Sequence, residues 1–179
     1  MSKEFESGVQ NCVVDCGGVQ RDQTVYVVSE EGAVDKQVAD SVGQWARDRG
    51  ARVETVWGLK IPKDHAEDIP AEVLNAYAKA DVLFSHYPSL KREVLQPHFP
   101  GEARVRVPNR ARTVTLMSSP WAAFPYSVQR AAAVTIDAIS APGKNWRITS
   151  PAGTDVRGIF GSRDSAVAQA YFVEEEGGR

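Results

Sequence analysis

From Phe5 the apolar residues recur at Phe5, Val9, Cys12, Val13 and Cys16, the i, i+4, i+7, i+8, i+11 spacing of a single helical stripe. Gly17-Gly18 then offers a left-handed stop at no side-chain cost. Next comes "TVYVVS" (Thr24 to Ser29), an almost unbroken apolar run of the kind found in a strand buried on both faces. Helical spacing returns with Val34, Val38, Val42, Trp45 and Ala46 and ends at Gly50. "RVETVW" (Arg52 to Trp57) predicts a second strand, and a polar loop with Pro62 and Pro70 leads to a helix carrying Val73, Leu74, Tyr77 and Ala78. "DVLFSHY" (Asp81 to Tyr87) predicts a third strand, Lys91 to Leu95 a short helix, and "TVTLMS" (Thr113 to Ser118) a fourth strand. Pro125 opens a longer helix with Val128, Ala132, Thr135, Ile136 and Ile139 at core spacing, closed by Pro142-Gly143. Lastly, "RITSPAGTDVRGIFGSRD" (Arg147 to Asp164) reads as two short strands about a tight turn punctuated by Pro151 and Gly153.

Strands alternating with helices predict an α/β fold: a Rossmann-like or flavodoxin-like three-layer sandwich, with a mainly parallel sheet and a carboxyl-terminal hairpin. A chain of 179 residues suits a single domain, here read as 1–164 with a solvated tail over 165–179. An apolar share of 42% and a charged share of 25% are ordinary for a globular protein, so neither redirects the fold reading. The net charge of -2 argues against a broad footprint for nucleic acid or an anionic membrane. Arg104, Arg106, Arg110 and Arg112 are a local exception, expected at the solvated edge of a strand. No apolar run approaches the roughly 20 residues of a membrane span, and "MSKEFESG" lacks the apolar centre of a signal peptide. A cytoplasmic protein is the expectation.

In open α/β sheets, ligands sit beyond the carboxyl ends of the strands. The first strand delivers Ser29-Glu30-Glu31-Gly32, without a Gly-x-Gly-x-x-Gly or a Walker lysine. The third delivers Ser85, His86 and Tyr87, and the expected fourth delivers Ser118, Ser119, Pro120 and Trp121. His86 stands where such folds place functional groups: it is either a proton shuttle or a loop or capping histidine. His65 and His98 read as surface and loop residues. No His-Glu-x-x-His, no second cysteine pair and no Gly-x-Ser-x-Gly occurs, and Cys12 and Cys16 read as small core hydrophobes. The candidates are therefore His86 as a catalytic group, with Ser118, Trp121, Thr154 and Asp155 as substrate-binding groups and no metal ligand. Asp155 could equally serve its own turn as an acceptor for backbone N–H groups.

Three segments carry a resemblance. "NCVVDCGGVQRDQTVYVVSEE", "YAKADVLFSHYP" and "NWRITSPAGTDVRGIFGSRD" together resemble the amino-terminal domain of the thermophilic metalloaminopeptidase family, the superfamily that includes 2,5-dihydroxypyridine 5,6-dioxygenase. The last segment, of the type (I/V)-x-(S/T)-x-x-G-(T/S)-D, is the most specific. The resemblance implies that the metal ligands belong to a second, carboxyl-terminal domain that this chain does not include, and that no residue here inherits a ligand role. In the dioxygenase branch a histidine after the third strand, followed two residues later by proline, acts as a base; His86-Tyr87-Pro88 is similar to that pattern. Two expectations arise from the resemblance. In one, the chain is a subunit of a split metal-dependent enzyme, aminopeptidase-like or ring-cleaving dioxygenase-like, binding no cofactor itself, with iron or zinc held by a partner chain. In the other, it is a non-catalytic binding or scaffold domain of the same fold. Both imply a homo-oligomer or a metal-binding partner subunit, and a small-molecule or peptide substrate is compatible with the first. Trp121, Phe124, Tyr126 and the hairpin around Phe160 form the expected contact patch.

Overall fold

A computed structural model describes residues 2–59, 69–87, 105–108, 110–140 and 145–159. Helix α1 (Lys3–Gln10) runs directly into a π-helical segment (Asn11–Cys16), followed by β1 (Thr24–Glu30), α2 (Lys36–Asp48), β2 (Arg52–Gly58), α3 (Ala71–Lys79) and β3 (Val82–His86). Then come β4 (Val105–Pro108), α4 (Val114–Met117), α5 (Tyr126–Ser140), β5 (Asn145–Thr149) and β6 (Asp155–Ile159). The result is a mixed α/β protein with a parallel sheet and a separate antiparallel pair. The short helix expected at Lys91 to Leu95, His65, His98 and Phe160 lie outside the described residues.

Four parallel strands form the main sheet in the order β2-β1-β3-β4. β1 is central, and every residue from Val25 to Glu30 is buried, as its continuous apolar run anticipates. Alternation sends its side chains to opposite faces. Tyr26 and Val28, with Leu83 of β3, pack against Val73, Ala76 and Tyr77 of α3. Phe84, of the opposite parity, meets Gly17 at the end of the π-helical segment. β2 is an edge strand and correspondingly polar: Arg52, Glu54 and Thr55 are exposed and Trp57 is half-buried.

One expected strand is a helix. Thr113 to Ser118 does not pair with the sheet; Val114–Met117 forms the single turn α4, and Thr113 caps it by accepting from Leu116 N–H at 3.2 Å. The apolar-polar alternation of "TVTLMS" is too short to distinguish the two periods, and the threonine hydroxyl at the N-cap decides for helix. The fourth strand lies instead among the arginines, at Val105–Pro108, where Val107 is buried and the strand sits at the sheet edge.

The first helix also departs from a plain α-helical stripe. It widens to π geometry from Asn11, and Asn11, Cys12, Val13 and Cys16 are buried along it. The Asn11 carboxamide donates to the carbonyls of Ala122 (2.8 Å) and Phe124 (2.9 Å) and accepts from Tyr126 N–H (3.3 Å). Close by, α1 passes α4 with its backbone almost in contact: a Cβ at Gly8 would collide with the Met117 carbonyl.

The described residues group into two compact units, one reaching Tyr126 and the other beginning at Ser127. In the second unit β5 and β6 form a hairpin in which Thr149 faces Asp155, Arg147 faces Arg157, and Trp146 faces Gly158. Gly153 donates to the Ser150 carbonyl and Ser150 N–H to the Thr154 carbonyl, each at 3.0 Å, so a turn with Pro151 at its second position passes into a bulge. Gly153 takes the φ of 93° that this bulge requires. Gly158 serves a different purpose, because the Trp146 indole lies across it, in space any side chain would fill. In α5 the residues read as a core face are not buried: Val128, Ala132, Thr135 and Ile136 are all exposed.

Gly8→Ala tests the α1–α4 contact. The colliding atom is backbone, which cannot rotate away, so the substitution should destabilise by about 1–3 kcal/mol in urea denaturation. A change within about 0.5 kcal/mol would show that the helices are not so closely apposed.

Candidate functional site

The carboxyl ends of β1 and β3 bring together the polar residues that end both strands. Register pairs Ser29 with His86, and their side chains meet: Ser29 Oγ and His86 Nδ1 lie 3.2 Å apart, either able to donate according to the tautomer. Both are completely buried. Burial, reinforced by the positive charge of Arg112, pushes the His86 pKa down to about 3, so at neutral pH the ring is an uncharged imidazole. Alternation places a second polar set on the opposite face. There Tyr77 and Ser85 share a buried hydrogen bond of 2.9 Å, and Tyr87 donates to the Leu59 carbonyl. Tyr87 has its pKa raised to about 12, by burial first and then by Glu30, Glu31 and Tyr77. Glu30 is buried, in strand register opposite Gly58.

The other candidates have internal partners. Ser118, half-buried, donates its hydroxyl to the Val114 carbonyl at 2.7 Å, a bond within its own turn. Trp121 is 39% exposed, next in the chain to the buried Ala122. Thr154 and Asp155 belong to the second unit. Thr154 donates its backbone N–H to Ser150 Oγ at 3.3 Å, which gives Ser150 the turn-stabilising role read for Asp155. Asp155 instead takes a two-pronged ion pair from Arg147 (2.7 and 2.9 Å), with Arg157 at 3.6 Å. That pairing lowers the Asp155 pKa, first through Arg147. The open depression on this hairpin, about 700 Å³, is lined by Asn145, Trp146, Arg147, Arg157, Gly158 and Ile159.

Cys12 and Cys16 are free thiols in the core, and burial pushes the Cys12 pKa up to about 12 and that of Cys16 upward as well. Among the described residues no group of three or more His, Cys, Asp or Glu side chains is placed to hold a metal ion. No described helix is long and apolar enough to cross a membrane. Sequence reading reaches His86 but not its companions. Ser29 is visible as a strand end; Arg112 and Asn11 act across long sequence distances that periodicity does not encode. Compared with known proteins, the chain matches no family model and no curated protein.

As a site, this is a closed one. A neutral, fully buried imidazole held by a serine hydroxyl orders the two central strand ends; to act as a base it would have to reach substrate and carry a pKa nearer the working pH. The burial predicts a pH effect with a definite sign. The folded pKa of about 3 lies below the ordinary 6.5, so the unfolded chain takes up a proton first. The contribution of His86 is complete above pH 6.5 and is lost as pH falls towards 3, at about 1.4 kcal/mol per unit. Urea denaturation between pH 6.5 and about 4 should therefore show a steeper loss for the wild type than for His86→Asn. Parallel curves would mean that the ring is not buried in its neutral form.

Proposed function

We propose that this chain is an assembly subunit: a binding or scaffold domain whose first unit is a self-contained α/β core and whose later segments dock onto another protein surface. One observation carries the reading. Every described buried core hydrophobic lies between Phe5 and Ala122, whereas all described large exposed hydrophobics except Leu59 lie between Leu116 and Ile159. Scattered apolar surface needs no explanation, but its concentration in one part of the chain marks an interface. The hairpin sharpens the point. Trp146, Ile148 and Val156 share one face, with Arg147, Asp155 and Arg157 on the other, and an isolated two-stranded hairpin is marginal in water unless that apolar face is covered. The strand order β2-β1-β3-β4, with α3 on one face and the π-helical segment on the other, supports the finer Rossmann-like or flavodoxin-like three-layer reading of the first unit.

A second reading has its own support. His86 and Ser29 stand at the carboxyl ends of two adjacent central strands, the usual address of a ligand site in such sheets, which favours a subunit of a split metal-dependent enzyme. There the partner would carry iron or zinc, and the aminopeptidase-like or dioxygenase-like chemistry with it.

Light scattering after size exclusion separates association from its absence. The wild type should self-associate or copurify with a partner, and Ile136→Asp with Ile148→Asp should reduce that association at least about tenfold while leaving the melting of the first unit within the range of surface changes. A monodisperse monomer at high concentration that retains no partner would overturn the assembly reading. A copurifying partner loaded with metal would move the second reading ahead.

A further inference from the structure

We propose that Arg21, Arg49 and Arg52 form a phosphate-binding cluster at the amino-terminal edge of the main sheet, and that its ligand is a small phosphorylated molecule. This edge is the one opposite Ser29 and His86. The proposal goes beyond the assembly reading and does not depend on it.

Two abutting loops gather the arginines. Residues 19–23 lead into β1, and residues 49–51 join α2 to β2, whose first residue is Arg52. Backbone bonds zip the loops together: Asp22 N–H donates to the Gly50 carbonyl at 3.0 Å, and Arg52 N–H to the Gln23 carbonyl at 2.8 Å. Side chains continue the zip. Arg49 Nε donates to the Val19 carbonyl at 2.9 Å, and Arg52 Nη2 to the Asp22 carbonyl at 3.1 Å and Thr24 Oγ1 at 3.4 Å. Arg21 lies over Gly50, where an added Cβ would stand 3.2 Å from Arg21 Nε. The φ of 87° at Gly50 and the absence of a side chain there give Arg21 its place. All three arginines are exposed.

The anchors decide the chemistry. A carbonyl or hydroxyl orients a guanidinium without cancelling its charge, so these side chains are positioned and still fully cationic. The neighbouring acids are engaged elsewhere. Glu54, two residues beyond Arg52, accepts from the Tyr26 hydroxyl; Asp48 accepts from Gln44 at 2.8 Å, and Asp81 from Thr24 N–H at 2.7 Å. Among the described residues no carboxylate stands within ion-pair reach of Arg21, Arg49 or Arg52. Arg21 therefore keeps its whole fork for a ligand, Arg49 both terminal nitrogens, and Arg52 its Nε and one terminal nitrogen. Guanidiniums gathered without a counter-ion repel one another, and a multiply charged oxyanion relieves that repulsion. Phosphate suits forks arriving from two loops better than a carboxylate does, with nearly two negative charges and three acceptor oxygens. The chain's net charge of -2 and the small extent of the cluster favour a small ligand over a nucleic acid, which needs a track of cations.

Isothermal titration with inorganic pyrophosphate at low ionic strength tests the cluster. The wild type should bind it saturably, one to one. Arg21→Gln should weaken that binding at least about tenfold through the loss of charge-assisted bonds. The Arg21 side chain bonds to no other described residue, so the variant should melt as the wild type does. Arg52→Lys, which keeps the charge and loses the fork, should also weaken binding. Lys36→Gln removes an equal charge from an exposed site on α2 and should leave the affinity within about twofold. No saturable binding at millimolar pyrophosphate, or equal losses in Arg21→Gln and Lys36→Gln, would overturn the proposal. Tighter binding to a single-stranded RNA oligonucleotide, or to vesicles containing phosphatidic acid, would overturn it as well, by assigning the arginines to a nucleic acid or a lipid surface.

Discussion

β1 is buried on both faces and paired on both edges, and most of the first unit follows from that constraint. A strand so placed needs apolar cover above and below, which α3 supplies on the Tyr26 and Val28 face and the π-helical segment approaches from the Phe84 face. Its polar last residues cannot reach water, so each must find a partner within the fold. Ser29 finds His86, and Ser85 on the neighbouring strand finds Tyr77. Asn11 and Asp35 bond across comparably long sequence distances, Asn11 to Ala122, Phe124 and Tyr126 and Asp35 to Arg112 and Val114. The polar edge of this sheet is thus a product of core formation before it is anything else.

How much of this is readable from residues alone varies with the range of the interaction. β1, α2, β2, α3 and β3 are legible because their patterns are long and local, and each leaves one choice of period. Thr113 to Ser118 misleads because so short a run carries both periods equally, and the capping hydroxyl of Thr113 is the better clue. The real fourth strand, four residues among arginines, has almost no pattern of its own. Asn11 shows another limit. It lies off the stripe of Phe5, Val9 and Cys12, on the side of Gly8 one turn earlier, and is buried because residues far along the chain, Met117 to Phe124, cover that side. For α5 the spacing is genuine and the inference from it incomplete: a stripe says that a face should be covered, not that this chain covers it.

That last distinction joins structure to function. The first unit holds every described buried core hydrophobic, with Leu59, Leu116, Trp121 and Phe124 its large exposed ones, and the polar residues that end β1 and β3 bond internally. In the second, Ile136, Ile148 and Val156 remain open while Arg147 and Asp155 stabilise the hairpin from its other face. It is on this division that the proposed docking role rests. The residues that sequence marks for chemistry, His86 and Asp155 among them, are accounted for by bonds within the chain.

Residue-level hydrogen exchange of the chain by itself tests this division most directly. Amides of Val25 to Ser29 and Leu83 to Ser85 should exchange only through global unfolding, whereas those of β5 and β6 should exchange faster by roughly 10³-fold, as befits an uncovered hairpin. Protection across β5 and β6 equal to that of β1 would contradict the division, since the second unit would then be stable without any surface to dock on.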